Sequence, residues 1–277
     1  MNTGAYTDSK NSQDRNFDDL ADRFARKVYG GLKGDIRLAV IWRDLQALVP
    51  EITTTSNLRI LDIGGGLGQI AVRLAALGHH VDYNDLSKEM MIKAKQSASQ
   101  HGVEDKMGWY HCAYQDLQQQ LLQESPQQLP EQKEHYDLVL CHALAEWLAD
   151  PASLVPALKG FLADKGRLSL TFYNRHSLIY RNLIRGNFRV LESDFEADAN
   201  SLTPTQPLDP QAMIKKVNAS GLKLLNSSGI RVFTDYVTTM RGGHTDSQSV
   251  IDKELEYSQL EPYKWLGRYI HLIASKG

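Results

Sequence analysis

A glycine-rich loop in the first third of the chain is the clearest sign of a binding function. In the stretch RILDIGGGLGQIAV, residues 59–72, an apolar run leads into Gly64, Gly65 and Gly66, and Gly68 follows. Glycine tolerates positive φ and has no Cβ, so such a run suits backbone that approaches a ligand closely. A tight turn without a ligand is the alternative, but a turn between a strand and a helix does not require so many glycines.

The spacing of these glycines narrows the choice of ligand. It reads Asp62-x-Gly64-x-Gly66-x-Gly68, and Gln69 stands where the dinucleotide fingerprint has Gly or Ala. A nicotinamide-dependent oxidoreductase is therefore disfavoured.

Two acidic residues follow at places where open α/β sheets bind ligands. Asp85 ends the second apolar run, where an acidic side chain accepts hydrogen bonds from both ribose hydroxyls of a nucleoside. Because DLSKE resembles a helix start, a helix-capping role for Asp85 is the alternative. Asp116 ends a third strand-like run, MGWYHCAYQD, and is expected at the same carboxyl edge of the sheet.

The elements that would position these residues alternate along the chain. Strand-like runs such as LRILDIG, HHVDYNDLS and RLSLTFYN alternate with helical runs such as QIAVRLAALG and KEMMIKAKQSASQHG. This alternation predicts an α/β fold with a parallel sheet covered by helices on both faces. The C-terminal runs KLLNSSGIRVFTDY and RYIHLIASK complete a mostly parallel, twisted, seven-stranded sheet.

The pattern predicts a single domain with additions at its edges. The polar N-terminus lacks hydrophobic periodicity and is expected to be disordered. A Gln-rich stretch with two prolines, residues 117–135, is interpreted as a solvated insertion before the fourth strand. The predicted segments are a tail (1–16), an N-terminal helical cap (17–50), a cofactor-binding core (58–173), a substrate-side insertion (174–209) and the C-terminal part of the sheet (210–277).

Composition limits the partners and the compartment. The net charge is −2 at pH 7, so no whole-molecule field attracts a polyanion. Cys112 and Cys141 lie in apolar runs and are expected to be buried reduced thiols; no metal is expected. The N-terminus lacks the apolar segment of a secretory signal, and no stretch reaches the roughly 18 apolar residues of a membrane span. We therefore expect a cytosolic, cytoplasmic protein.

Together these motifs resemble the S-adenosylmethionine-dependent methyltransferases of the Rossmann-like class. LDIGGGLG is similar to that family's first motif, DLSKEMMIKAK to its acidic loop and next helix, and HCAYQD to its adenine-contacting segment. FLADKGRLSL resembles the turn into the fifth strand, with Asp164-Lys165-Gly166 where the family usually has Pro-Gly-Gly. The resemblance covers almost the whole chain from about Leu58 onward and implies S-adenosylmethionine as the cofactor.

Other motifs resemble one bacterial tRNA-modifying branch of that family. They include CHALAEW, LTFYNRH, GNF, GIRVFTDY and LGRYIH, together with the N-terminal DRNFDDLADRFARKVYGGLKGDIRLAVIWRDL. That branch methylates the carboxylate of 5-carboxymethoxyuridine at the tRNA wobble position, which implies tRNA as the partner. A carboxylate is ionised at neutral pH and a sulfonium methyl is already activated, so no acid–base residue is expected to be indispensable. Proximity and alignment would supply the rate.

Position and resemblance together imply the cofactor contacts. The glycines would pass under the methionine part and allow the close turn, Asp85 would hold the ribose, and the segment after the third strand would surround the adenine. His142 would face the methyl region, or else be a satisfied core histidine. Arg37 would pair with the cofactor carboxylate, or else be a solvated arginine. The expected set is Arg37, Gly64, Gly65, Gly66, Gly68, Asp85, Tyr114, Gln115, Asp116 and His142.

A basic stripe in the insertion is a candidate surface for tRNA. Arg175, His176, Arg181, Arg185 and Arg189 have no acidic residue between them. The last three have helical spacing and would form one stripe that contacts phosphates. A solvated charged face is the alternative.

The modified base needs a stacking surface and a partner for its carboxylate. Unstacked RNA bases stack on aromatic side chains, for which the candidates are Phe172, Tyr173, Phe188 and Tyr269. A carboxylate is held best by an arginine fork, for which the candidates are Arg231, Arg241 and Arg268.

Two other functions remain open at this point. A methyltransferase of a small carboxylic acid or another metabolite is favoured if no basic surface surrounds the pocket. A non-catalytic S-adenosylmethionine-binding module is favoured if the pocket is blocked above the methyl group.

Overall fold

The computed structural model describes residues 14–24, 30–124, 135–192, 204 and 206–277. Most of the predicted N-terminal tail, residues 1–13, therefore lies outside the described residues. Of the helix expected from Phe17, the structure describes α1, Ala21–Phe24.

A single twisted sheet organises the described part of the chain. Its strands are β1 (Arg59–Ile63), β2 (His80–Asp85), β3 (Met107–His111), β4 (Tyr136–His142), β5 (Leu162–Tyr173), β6 (Leu222–Ile230) and β7 (Tyr269–Lys276). The seven strands lie in the order β3-β2-β1-β4-β5-β7-β6. β7 is antiparallel to β5 and β6, and the other pairs are parallel, which confirms the predicted fold class. The strand order reverses between β1 and β4, where open sheets bind ligands.

Helices cover both faces of the sheet, as predicted. They are α2 (Leu32–Leu48), α3 (Glu51–Thr54), α4 (Gln69–Ala76), α5 (Lys88–Gln100), α6 (Leu117–Glu124), α7 (Leu154–Phe161), α8 (Arg175–Ile184), α9 (Phe188–Glu192), α10 (Pro210–Ala219) and α11 (Ser247–Tyr257). One apolar layer unites α2, α4 and α5 with the sheet, and the opposite layer unites α6, α7 and α10 with it.

Asn174 joins the end of β5 to the chain that enters β7. Its side-chain oxygen accepts a hydrogen bond from the backbone N–H of His176 and so caps α8. Its Nδ2 donates to the carbonyls of Trp265 and Gly267 at 2.7 and 2.8 Å. The first turn of α8 is therefore fixed against the carboxyl edge of the sheet.

Two local predictions require correction. β3 ends at His111, so Asp116 lies beyond the strand and not at its end. Residues 117–124 of the Gln-rich stretch form α6, and Leu117 and Leu121 are buried, so this part is not a solvated insertion. The apolar spacing of these leucines over one helical turn explains the helix. Residues 125–134 lie outside the described part.

None of the helices in the described residues is long and apolar enough to cross a membrane.

Candidate active site

A cavity opens at the carboxyl edge of β1, β2 and β4, beside the strand-order reversal. The residues that line it are Asp14, Arg15, Phe17, Gly64, Gly66, Asn84, Asp85, Leu86, Met90, Cys112, Ala113, Tyr114, His142, Ala143, Leu144 and Trp147. Five predicted cofactor residues are among them: Gly64, Gly66, Asp85, Tyr114 and His142. The other five do not line it: Arg37, Gly65, Gly68, Gln115 and Asp116.

Backbone conformation explains three glycines of the loop. Gly64, Gly66 and Gly68 have φ values of 65°, 55° and 69°, a region that strains residues with a Cβ. At Gly66 a Cβ would meet no heavy atom within 4 Å. Because Gly66 also lines the cavity, the space beside it is available to a ligand.

Packing explains the absence of a side chain at two positions. A Cβ at Gly65 would lie 2.5 Å from Cε2 of Tyr83, and one at Gly68 would lie 2.9 Å from Cβ of Ala94. Gly65 thus makes room for the Tyr83 ring, and Gly68 lets α4 approach α5. The run of glycines serves both the cavity and the fold.

Asp85 is a partly buried acceptor at the tip of β2. Its Oδ2 accepts from the N–H of Gly66 at 2.8 Å, and its Oδ1 accepts from the N–H of Ser87 at 2.7 Å. Ser87 itself caps α5 by accepting from the N–H of Met90, so the helix-capping alternative for Asp85 is wrong. Burial raises the pKa of Asp85 to about 6. Burial and the nearby Asp85 charge raise the pKa of Asp62 to about 7.

The segment after β3 only partly faces the cavity. Tyr114 lines it, and its hydroxyl lies 3.0 Å from Oγ of Ser153. Gln115 is exposed, and its Nε2 donates to Oδ2 of Asp14 at 2.9 Å. Asp116 is exposed at the start of α6.

His142 forms part of the cavity wall and begins a buried chain of hydrogen bonds. Its Nε2 lies 2.9 Å from Oγ of Ser169, which lies 2.8 Å from Nε2 of His271. Nδ1 of His271 lies 2.8 Å from Oδ2 of Asp44 on α2. His142 therefore lines the cavity and also has a core partner, and its place at the methyl region stays a prediction.

The charges along this chain are set by its surroundings. Burial would raise the pKa of Asp44, but its hydrogen bond with His271 and the charge of Arg43 outweigh burial and lower that pKa. Burial, aided by His271 and Arg37, lowers the pKa of His142 well below its usual range. His142 is therefore neutral at pH 7.

Arg37 is a buried residue of α2. It is 4% exposed, and its guanidinium carbon lies 4.2 Å from the ring centroid of Tyr269. The alternative of a solvated arginine is therefore wrong. A pairing of Arg37 with the cofactor carboxylate stays a prediction.

Three arginines lie around two tyrosine rings where β5 ends and β7 begins. We call Arg181, Arg231, Arg268, Tyr173 and Tyr269 the arginine cluster. The Arg268 guanidinium lies 4.7 Å from the Tyr173 centroid, and the two rings are 5.6 Å apart, edge to face. Arg231 lies 5.7 Å from the Tyr269 centroid and has φ of 60°, a strain of the kind that persists at functional sites.

The comparisons with known proteins agree with this architecture. A family model described as "Methyltransferase domain" matches residues 61–170. The tRNA 5-carboxymethoxyuridine methyltransferase of Escherichia coli (strain K12) is 40% identical over 265 residues, which is 95% of this chain and 97% of that one. The chain belongs to this methyltransferase family.

More distant relatives share the methyltransferase fold. The ubiquinone biosynthesis O-methyltransferase of Aeromonas salmonicida is 29% identical over 62% of this chain and 66% of its own. The structure of magnesium protoporphyrin IX methyltransferase from Synechocystis with bound SAH has a TM-score of 0.57 at 16% identity, covering 94% of this chain and 96% of that one. The resemblance to a methyltransferase that the motifs indicated is confirmed.

The methyltransferase has one cavity wall that its sequence did not predict. Oδ1 of Asp14 accepts from the N–H of Ala149 at 2.8 Å, and the N–H of Arg15 donates to the Trp147 carbonyl at 3.1 Å. The Phe17 and Trp147 rings meet edge to face at 4.9 Å. The sequence has aromatic residues beside the polar tail and in CHALAEW. It does not show which segment of the chain these aromatic residues contact.

The prediction that Arg181, Arg185 and Arg189 form one continuous basic stripe is wrong. α8 ends at Ile184, and Gly186 with φ of 69° turns the chain before α9, which carries Arg189. Glycine in this conformation is the usual helix terminator. Arg181 is half-buried in the arginine cluster, whereas Nη2 of Arg185 donates to the Asp235 carbonyl.

The remaining substrate candidates separate by burial. Phe172 is fully buried in the layer opposite the arginine cluster, so it cannot stack on a base. Phe188 and Arg241 are exposed. His176 pairs with Asp209 at 3.2 Å, and Arg175 begins α8.

Proposed function

We propose that the protein transfers the methyl group of S-adenosylmethionine to the carboxylate of 5-carboxymethoxyuridine at the tRNA wobble position, forming the methyl ester. The observation that carries this proposal is the 40% identity over 95% of the chain to the tRNA 5-carboxymethoxyuridine methyltransferase of Escherichia coli. A free metabolite as substrate is less well supported, because exposed basic residues and the arginine cluster lie on the substrate side.

The cavity at the carboxyl edge suits S-adenosylmethionine on two counts. The open space beside Gly66 would be filled by any Cβ, so the loop can lie directly against a ligand. Each carboxylate oxygen of Asp85 has two lone pairs, and its N–H partners use one apiece. Asp85 can therefore also accept the two ribose hydroxyls, while Tyr114 and His142 would lie beside the adenine and methyl ends. The cofactor supplies a methyl group activated on a sulfonium.

The protein's part in the chemistry is alignment and electrostatics. The substrate carboxylate has a usual pKa of about 4 and needs no base at neutral pH. His142 is neutral there because of its burial, so it bounds the site without repelling a sulfonium. Holding two reactants in alignment contributes up to roughly 7–11 kcal/mol in favourable cases.

The surface formed by α8 and α9 is the best candidate to contact the anticodon loop. Tyr180 and Phe188 are 43% and 57% exposed there, beside the exposed Arg185 and Arg189. Aromatic rings that stack on bases, flanked by arginines for phosphates, are typical of single-stranded RNA recognition. With tRNA as the substrate, we expect the reaction to take place in the cytoplasm.

Incubation with methyl-labelled S-adenosylmethionine and bulk tRNA, followed by digestion to nucleosides, tests the proposal. We expect the label in one modified uridine. Label transferred to small carboxylic acids but not to tRNA would favour the metabolite reaction. Cofactor binding without transfer to either would favour a non-catalytic module.

A further inference from the structure

The arginine cluster holds several buried polar atoms that lack a hydrogen-bond partner within the described residues. They are Nε and Nη1 of Arg268, Nε of Arg181, Nε of Arg231 and the hydroxyl of Tyr173. Arg268 is 9% exposed and Arg231 is 7% exposed, so water satisfies these groups poorly. Buried charged donors are normally paired, and their lack of partners therefore points to a ligand that accepts hydrogen bonds.

The net charge of the cluster indicates the charge of the ligand that it would bind. Among the described residues, Asp235 is the acidic residue that forms ion pairs with the cluster. Its Oδ2 lies 3.2 Å from Nη2 of Arg231 and 3.8 Å from Nε of Arg268. Lys33 also approaches Asp235, at 3.8 Å. One carboxylate faces three guanidinium groups, so the cluster carries excess positive charge and favours an anion.

The cluster adjoins the wall of the cofactor cavity. His142 pairs with Thr171 across β4 and β5, and Tyr173 lies two residues further along β5 on the same face. Two residues of a strand span about 7 Å and neighbouring strands are about 5 Å apart. A group held beside Tyr173 is therefore within the length of one nucleotide of His142.

An open cavity leads to the cluster from the surface. It has a volume of about 500 Å³, and Lys33, Arg181, Arg185, Asp235 and His244 are among its lining residues. That volume falls in the usual range of small-ligand pockets, roughly 300–1,000 Å³. Arg181 and Asp235 belong both to this cavity and to the group of charges around the cluster.

We propose that the arginine cluster binds the carboxylate of the modified uridine, with Arg268 as the principal donor and Arg181 and the Tyr173 hydroxyl as supporting donors. This assignment rests on the proposed function, and it selects Arg268 from the arginine candidates. Arg241 is exposed, unlike the buried Arg231 and Arg268.

The assignment gives the cluster a role in turnover. One carboxylate oxygen faces the donors and the other attacks the methyl carbon; a C–O bond forms, the S–CH₃ bond breaks with its electrons left on sulfur, and no proton moves. The ester is neutral, so the product loses its charge-assisted hydrogen bonds to the cluster. The site therefore distinguishes substrate from product by charge.

The test compares anticodon stem-loops that carry 5-carboxymethoxyuridine or its methyl ester. We expect wild-type protein to bind the acid at least tenfold more tightly than the ester. Arg268→Gln should reduce that ratio to about one to two while ester affinity stays within twofold, and Tyr173→Phe should reduce it severalfold. Arg167→Gln, six residues before Tyr173 on β5, is the matched control and should keep the wild-type ratio.

The outcomes separate this assignment from the proposed function. Wild-type protein that prefers the acid but does not methylate it contradicts the proposed function and leaves the anion site supported. Methylation by wild-type protein together with an unchanged acid-to-ester ratio in Arg268→Gln overturns the site. Equal loss of acid and ester binding in both folded variants, or a wild-type ratio near one, also overturns it. Cofactor affinity and unfolding midpoints identify variants that fail to fold. If Arg268→Gln does not fold, the acid-to-ester ratio of Tyr173→Phe decides whether the site is assigned correctly.

Discussion

Oδ2 of Asp85 and the backbone N–H of Gly66 are joined by a hydrogen bond of 2.8 Å. The bond ties the tip of β2 to the glycine loop, so the proposed ribose acceptor and the proposed cradle for the methionine part are one rigid unit. The second carboxylate oxygen is fixed by Ser87, where α5 begins. Neither oxygen needs to move to accept a further donor.

We expect Asp85→Ala to weaken S-adenosylmethionine binding by about 2–3 kcal/mol, because two hydrogen bonds to a charged acceptor are lost. Calorimetric titration of the variant, with an unfolding curve to establish that it is folded, measures this. Unchanged affinity in the folded variant would show that Asp85 does not hold the ribose.

Cofactor affinity should depend on pH through the same residue. Burial raises the pKa of Asp85 to about 6, so the accepting carboxylate is present above that pH and is lost as the pH falls through it. Affinity should fall by about tenfold per pH unit below pH 6. Burial lowers the pKa of His142 well below its usual range, so this residue is neutral in the upper part of the range.

Titrations between pH 5 and 8 check this dependence. Asp85→Asn should bind weakly with a flattened profile, whereas the exposed Asp105→Asn should follow the wild-type profile. A wild-type profile without a decline below pH 6 would contradict the assignment.

Gly66→Val should abolish cofactor binding, and Gly102→Val provides a matched control. Both glycines have positive φ, 55° and 64°, and a Cβ at either would meet no atom within 4 Å. Both variants should therefore lose about 1–2 kcal/mol of unfolding free energy from backbone strain. Only Gly66→Val fills space beside the cavity, so equal cofactor affinities in the two variants would show that the glycine serves the fold alone.

The sequence could predict the parts of the site that follow from local pattern. Positive φ at Gly66 and the acceptor at Asp85 depend on a strand–loop–helix unit whose period and glycines are visible in the chain. The wall formed by Asp14 was not predictable, because its bond to Ala149 joins residues 135 positions apart. The arginine stripe failed for a local reason: Gly186 ends the helix that the spacing of the arginines assumed.

Ser169→Ala should destabilise the protein by about 1–3 kcal/mol, because Nε2 of His142 and Nε2 of His271 both lose a buried partner. Urea unfolding measures the loss, and the exposed Ser99→Ala should remain within about 0.5 kcal/mol of wild type. Ser169→Thr keeps the hydroxyl and should recover part of the stability. An unchanged unfolding free energy in Ser169→Ala would show that the hydrogen-bond chain makes no net contribution.

Arg185 and Arg189 should act on tRNA binding separately from the arginine cluster. Changing both to Gln should raise KM for tRNA and leave cofactor affinity unchanged, if they contact phosphates. The slope of log affinity against log salt should flatten by about 0.7–0.9 per lost contact. Lys215 and Lys216, exposed on α10, form the control pair. A double arginine variant with the wild-type salt slope would assign these residues to a solvated surface.

The most direct test of the central claim is mass analysis of the wobble nucleoside after reaction. Purified protein is incubated with S-adenosylmethionine and tRNA that carries 5-carboxymethoxyuridine, and with matched tRNA that carries unmodified uridine there. We predict that only the first tRNA reacts, that its wobble nucleoside gains the mass of one CH₂ group, and that mild alkali restores the acid. Methylation of the unmodified tRNA, a methyl group on any other nucleoside, or an alkali-stable product would contradict the account.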